Sequence, residues 1–241
     1  MSLKRAVILA GGKGSRLYPY TTVFPKPLMP IQEKPILEIV LTRLQQAGFE
    51  HVTLAVGYLS GLIEAYFGDG RKWGLKIDYS HEDQPLGTAG PIRQIHALES
   101  DFLVMNGDVL CTLDFAEMYA FHRAHGGLAT VGTYPKAVPI TLGVLELDAE
   151  QQITDYIEKP TLFYQVSMGI YFFRPEILAY IPPDTRLDLP DLIKALIAAG
   201  ESPRAYLFRD LWLDIGRPED YAEAQTLFAA HEPRFWSPPR A

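Results

Sequence analysis

Apolar positions along the chain change their spacing several times, and each change marks an element. Val7, Ile8 and Leu9 make a short unbroken apolar run, as a buried strand does, and the run stops at Gly11, Gly12 and Gly14. Ile36, Leu37, Val40, Leu41, Leu44 and Ala47 recur at helical spacing with Gly48 as the stop, which predicts a helix with one buried face. His51 to Val56 reads as a strand, Leu62 to Phe67 as a short helix ending near Gly68, and the alternation of Leu75, Ile77 and Tyr79 as another strand. Strand, helix, strand, helix, strand predicts an α/β fold, a mostly parallel sheet covered by helices, with ligands beyond the carboxyl ends of its strands.

Phe102 to Met105 continues the series as a buried strand that ends in Asn106-Gly107-Asp108, and Phe115 to His125 reads as a helix. His122 and His125 share one side of that helix. With no third ligand at zinc-like spacing, they are read as solvated surface histidines. From Ala129 the pattern becomes strand-rich (Ala129 to Tyr134, Gly143 to Leu147, Ile153 to Ile157, Val166 to Phe173), which suggests a β-rich lobe against the first half. Leu192, Ile193, Leu196 and Ile197 mark a core-facing helix ended by Gly200, and Pro218 opens a last helix, Glu219 to Ala230. The expectation is one domain over 1–241, with halves at about 1–128 and 129–230 and an irregular proline-rich tail over 231–241.

Composition narrows the class. A chain of 241 residues, 48% of them hydrophobic, can bury a core as one domain. The balance of 22 Lys plus Arg against 29 Asp plus Glu gives −7, which argues against a broad basic face for nucleic acid. The single cysteine, Cys111, rules out an internal disulfide framework, suits a reducing compartment and reads as a small core residue. The apolar run after Met1 is too short for a signal segment or a membrane span, so the expected location is cytoplasmic with no membrane partner.

Chemistry concentrates first between Val7 and Pro27. Glycines after a buried strand let backbone N–H groups close on an oxyanion, and Arg16 adds a planar fork for phosphate oxygens. Lys26 adds a point charge between Pro25 and Pro27. Each feature alone is also ordinary, as a tight turn, a surface ion pair or a surface loop; together they point to a phosphate site. Leu17 stands where a dinucleotide-binding loop would need its third glycine, and no G-x-x-x-x-G-K-[ST] run occurs. Asp108, directly after a central strand, is the first candidate for a Mg²⁺ ligand, although Asn-Gly-Asp is also a common turn.

The stretch VILAGGKGSRLYPYTTVFPKP resembles the opening motif of the sugar-1-phosphate nucleotidylyltransferases, and the resemblance runs from about Lys4 to Leu227. It is closest to the mannose-1-phosphate and heptose-1-phosphate guanylyltransferases. The resemblance implies a Rossmann-like three-layer α/β/α fold with a β-rich sugar-binding lobe, Mg²⁺ as cofactor, and a nucleoside triphosphate and a sugar 1-phosphate as partners. A homodimer is implied by analogy only. Leu9, Ala10, Gly11, Gly12 and Gly14 would wrap the triphosphate, with Arg16, Lys26 and Asp108 catalytic and Asp108 and Asp214 on the metal.

The segment HEDQPLGTAG from His81 resembles the family's base-reading loop. A carboxylate, Glu82 or Asp83, would accept guanine's paired donors, and the amide of Gln84 would suit a pyrimidine. Gly87 would let backbone approach the base edge beside Thr88. The plainer alternative is a polar turn with Thr88 capping a helix over Ala89 to Leu98. Asn106, Gly107, Gly143, Glu158, Lys159 and Gly169 would face the sugar phosphate. Leu142, Ser167 and Arg217 depart from the residues usual in the family, which leaves the identity of the sugar open. Rival readings are a glucose-1-phosphate thymidylyl- or uridylyltransferase, a D-glycero-D-manno-heptose-1-phosphate guanylyltransferase, and a non-catalytic nucleotide-sugar-binding regulator.

Overall fold

Ala6, Val7 and Ile8 are fully buried because strand β1 (Arg5–Leu9) lies inside a seven-stranded sheet with helices on both faces. The computed structural model describes residues 4–82 and 84–236. A small hairpin, β2 (Pro30–Ile31) and β3 (Lys34–Pro35), leads into helix α1 (Ile36–Gln46), which ends at Ala47 and Gly48. Strand β4 (His51–Val56), helix α2 (Ser60–Phe67) and strand β5 (Lys76–His81) follow. Next come β6 (Phe102–Asn106), β7 (Val109–Cys111) and α3 (Phe115–His125). The second half holds β8 (Ala129–Pro139), β9 (Val144–Leu147), β10 (Ile153–Ile157), β11 (Thr161–Phe173), α4 (Leu189–Ala198), β12 (Arg204–Leu207), β13 (Trp212–Asp214) and α5 (Pro218–Trp236).

The sheet order is β12-β8-β11-β6-β1-β4-β5. Only β11 runs against its neighbours. Alternate residues of β1 feed two cores. Ala6 and Ile8 pack with α1, Ile63 and Phe67 of α2, and Phe228 of α5; Val7 packs with Ile92, Val104 and Leu192. Two apolar layers on one mostly parallel sheet make the three-layer α/β/α arrangement. Cys111 is buried in the first of these cores. No described helix is long and apolar enough to cross a membrane.

Several expectations need correcting. The stretch after Thr88 is not a helix to Leu98 but a short 3-10 turn, Gly90–Gln94, and Thr88 does not cap it. Its hydroxyl instead accepts from the Leu189 N–H at the start of α4 (2.8 Å). His122 is fully buried, not solvated: Nδ1 lies 2.8 Å from Thr130 Oγ1, and the ring stacks on Phe172. His125 Nε2 lies 2.6 Å from the same hydroxyl. Both rings face the sheet because α3 lies against β8 and β12.

The chain past His231 is helical as far as Trp236, where irregular backbone was expected; 237–241 lie outside the described residues. His231 breaks the regular helix (φ −127°), so Pro233 follows a break, where a proline is tolerated. Phe235 is fully buried, and Arg43 donates to its carbonyl (3.1 Å). The strand-rich half shares its two long strands, β8 and β11, with the main sheet. Both run further than expected, to Pro139 and back from Thr161.

Candidate functional site

The parallel strands β6, β1, β4 and β5 end on one side, and the segments that follow them enclose a cavity of about 500 Å³. That volume is in the range of small-molecule sites, at the place an open α/β sheet provides. Leu9, Ala10, Gly11, Gly12, Gly14 and Arg16 line it from the end of β1. The loop is pinned on all sides: Ala10 N–H donates to the Ala55 carbonyl (2.8 Å), Tyr58 N–H to the Gly11 carbonyl (3.3 Å), and Thr21 Oγ1 to the Gly14 carbonyl (2.9 Å).

Asp108 owes its position to Gly107. The Gly107 N–H donates to the Leu9 carbonyl (2.9 Å), and a Cβ at 107 would stand 3.0 Å from that same oxygen. The Asp108 carbonyl then accepts from Ile215 N–H (3.2 Å), and antiparallel β13 pairs Asp214 with Val109. The two aspartates, more than a hundred residues apart in sequence, become neighbours through two three-residue strands. Lys26, buried in its own 3-10 turn, places its ammonium directly on Asp108 Oδ2, while Asp108 Oδ1 is buried with no partner. Desolvation by the surrounding walls, and then the charge of Asp108, push the Asp214 carboxyl above its ordinary value; Lys26 and Arg16 pull it down.

These groups suit a divalent cation. Among the described residues no cluster of three or more His, Cys, Asp and Glu could hold a metal alone. Mg²⁺, however, commonly takes one or two carboxylates and fills the rest of its shell with water and substrate phosphate. A buried carboxylate oxygen without a donor, beside a second carboxylate, offers the kind of oxygens such a shell would take from the protein.

The loop after β5 forms another wall. Glu82 lines the cavity, but Oε2 accepts from Leu86 N–H (2.8 Å) and burial raises its carboxyl above the ordinary value. The side chain therefore braces its own loop. Gly87 and Thr88 line the cavity too, held by Asp188, whose Oδ1 accepts from Thr88 N–H (3.0 Å). Gln84 is exposed and does not line it, and Asp83 lies outside the described residues.

On the sugar side the residues divide. Asn106, Gly107 and Asp108 line the cavity, and Gly169 packs directly against the Asn106 side chain. Gly143, Glu158 and Lys159 do not line it. Gly143 packs on Tyr156, and the Glu158 and Lys159 side chains are 60% and 67% exposed, paired with each other at 3.6 Å. Arg186 was not anticipated. It lines the cavity from the loop before α4, a position where nothing in the sequence separates it from a surface arginine. Arg16 also borders a second cavity of about 670 Å³, walled by Tyr134, Trp212, Asp214 and Arg217.

Comparison with known proteins agrees with this layout. The family model described as nucleotidyl transferase matches residues 5–231. The chain is 36% identical over 240 residues to a UTP–glucose-1-phosphate uridylyltransferase of Synechocystis, covering 91% of this chain and 62% of that protein. It is 37% identical over 232 residues to the mannose-1-phosphate guanylyltransferase catalytic subunit beta of Xenopus tropicalis, covering 93% and 64%. It thus spans a little under two thirds of the length of these relatives. Among solved structures, HddC from Yersinia pseudotuberculosis superposes with a TM-score of 0.71 at 27% identity, covering 93% of this chain and 99% of HddC, and that protein has also been solved complexed with GMP-PN. A UDP-glucose pyrophosphorylase complexed with UDP-glucose shares the fold, with a TM-score of 0.71 at 20% identity over 95% of this chain and 99% of that one. With the glycine loop, the basic pair and the adjoining aspartates gathered at the carboxyl edge of such a sheet, this chain belongs to the nucleotidyl transferase family.

Proposed function

We propose that this protein transfers a nucleoside monophosphate from a triphosphate, GTP first, to a hexose or heptose 1-phosphate, releasing pyrophosphate and a nucleotide-sugar. One observation carries the reading: the glycine loop, Arg16, Lys26 and Asp108 line one cavity, with Asp214 beside Asp108. A sugar 1-phosphate has a second pKa of about 6, as phosphate monoesters do, so its oxygen is already anionic at neutral pH and needs no general base. That oxygen attacks the α-phosphorus in line, the bond to the oxygen bridging the β-phosphate breaks, and pyrophosphate leaves.

The barrier is the meeting of two polyanions, which positioned cations lower. The backbone of Gly11, Gly12 and Gly14 holds the triphosphate, Arg16 meets the pyrophosphate as it leaves, and Lys26 brings positive charge to Asp108 at the reacting end. Mg²⁺ held by Asp108 and Asp214 would neutralise phosphate charge and polarise the α-phosphate.

Guanine is favoured by the guanylyltransferase among the relatives and by the guanine nucleotide GMP-PN on HddC. The uridylyltransferase of Synechocystis keeps a pyrimidine reading in view, as does a Glu82 committed to Leu86. The cytoplasm, where nucleoside triphosphates are held, is the proposed location. The test is a matrix of GTP, dTTP, UTP, CTP and ATP against mannose, glucose and heptose 1-phosphates, with Mg²⁺ and a pyrophosphate readout. GTP with mannose or heptose 1-phosphate should turn over, and Arg16→Ala should lower kcat by about 10²–10³. Release from no pair at all would leave a non-catalytic binder as the better reading.

A further inference from the structure

Asp108 and Asp214 are neighbours through β7 and β13, yet they line different cavities. Asp108 lines the one that holds the glycine loop, and Asp214 lines the second, of about 670 Å³. Among the described residues Arg16 alone lines both. The two spaces therefore meet at the phosphate-handling end of the site, across one guanidinium and one pair of carboxylates. The second is of a size that small molecules occupy.

Three cations border this second cavity: Arg16, Arg217 and Lys136. Arg16 lies over Gly216, where a Cβ would stand 3.5 Å from its Nη1, so its guanidinium sits beside the backbone that carries Arg217. Lys136 comes from β8, on the same strand face as Tyr134, whose ring lies 5.2 Å from that of Trp212 on β13. Among the described residues none of these three side chains donates a hydrogen bond or closes an ion pair, although carboxylates share the wall. Asp210 is already taken by Arg234 and by Thr112 Oγ1 (3.0 Å), which leaves Asp214 and, on the first turns of α5, Asp220 and Glu223.

Cations gathered without partners favour an incoming anion, and a guanidinium favours phosphate oxygens in particular. A neutral sugar would leave all three charges unmatched. A bare pyrophosphate would be opposed by Asp220 and Glu223, whereas the same anion bound to Mg²⁺ carries less charge and suits a wall of both signs. Arg217 is also one of the positions at which this chain departs from the residue usual in its family, so the cation set is a property of this chain.

We propose that the second cavity receives magnesium-bound pyrophosphate after transfer, with Arg16 passing it on from the first cavity and Arg217 and Lys136 holding it before release. The product role rests on the transferase reading; the pyrophosphate site rests on the cation set alone.

Inorganic pyrophosphate is titrated into the protein by calorimetry, with Mg²⁺ and again with a chelator, and GTP is titrated in the same way. Arg217→Ala and Lys136→Ala, both at exposed positions, should each weaken pyrophosphate binding about tenfold and together about 10²-fold, and Arg217→Lys should recover part of the loss. Binding should be tighter with Mg²⁺ than with the chelator. Affinity for GTP should move by less than about twofold, because neither residue lines the first cavity. Lys194→Ala removes the same charge outside both cavities and should leave pyrophosphate affinity as it was. Pyrophosphate affinity that survives the double variant, a loss of the same size in Lys194→Ala, or an equal loss for GTP would overturn the site. If the wild type turns over no substrate pair while the dependence on Arg217 and Lys136 holds, the transferase reading fails and the product role with it, and the pyrophosphate site stands. If turnover is found and pyrophosphate affinity ignores both residues, the transferase reading stands and this inference alone falls.

Discussion

Lys26→Met should destabilise the protein by about 2–4 kcal/mol in the absence of metal and nucleotide. The Lys26 ammonium contacts Asp108, whose other oxygen is buried without a partner, and Asp214 stands near enough for the charge of Asp108 to raise its pKa. Removing one member of a fully buried ion pair costs about 3–5 kcal/mol, because the survivor is left as an uncompensated charge. Here the Lys26 side chain is 10% exposed and that of Asp108 22%, so the cost falls at or below that range. Asp108→Asn should cost less, about 1 kcal/mol, since Lys26 keeps Asp214 as a counter-charge. The double variant removes both charges and should be more stable than Lys26→Met alone, with a coupling energy of about 2 kcal/mol. Urea denaturation at pH 7 with a chelator, followed by tryptophan fluorescence, yields all four stabilities, and equal m-values show that the comparison is two-state. None of the variants should release pyrophosphate at the wild-type rate, so recovered stability without recovered turnover separates folding from chemistry. If the single costs add to within about 0.5 kcal/mol, the two side chains do not depend on each other and the assignment is wrong.

Other outcomes follow from the same geometry. A Cβ on Gly87 (φ +80°) would stand 2.6 Å from the Leu187 carbonyl oxygen, so Gly87→Ala should part the two loops and weaken nucleotide binding by about tenfold in a titration; unchanged affinity would show that the loop junction is not part of the site. Arg186→Ala, at a side chain 73% exposed, should shift stability by less than about 0.5 kcal/mol yet raise KM for one of the two substrates by about tenfold, and unchanged KM values would remove it from the site. Burial lowers the pKa of His122 to about 4, below the value of about 6.5 expected when the chain is unfolded. Its neutral form is therefore fully stabilising above pH 6.5, and as pH falls towards 4 the unfolded chain takes up the proton first and stability is lost, by no more than about 3 kcal/mol. His122→Leu should flatten that part of the profile of urea midpoints between pH 7 and 4.5, and parallel profiles would refute the assignment.

The legible elements were those whose burial repeats along the chain. α1, β4 and α3 fall close to where apolar spacing placed them, because each buries a face of at least two turns or six residues against the sheet. β12 and β13, of four and three residues, carry too few positions to show a period, and neither was anticipated. His122 was misread for a related reason. The helix pattern put it on a face with His125, but whether that face meets water or Phe172 depends on β8 and β11, which come later in the chain.

The site divides along the same line, between what one segment fixes and what two segments fix together. The glycine loop, Arg16 and Asp108 follow directly from strands that end at the cavity, so their residue types and places were readable in single stretches. Lys26 was read as a phosphate ligand, yet its nearest charge is Asp108; no spacing within Pro25-Lys26-Pro27 can report a partner that arrives eighty-two residues later. Glu82 was weighed for the base edge and is found holding Leu86, and Thr88 was weighed as a cap for the wrong helix, because both choices are made by a loop closing on Asp188 and Leu189. Arg186 enters through that same closure. On the proposed reading, one Glu82 oxygen already accepts from Leu86 N–H and keeps less acceptor capacity for a guanine edge, so base choice would draw on backbone at Gly87 and Thr88 as well as on the acidic side chain.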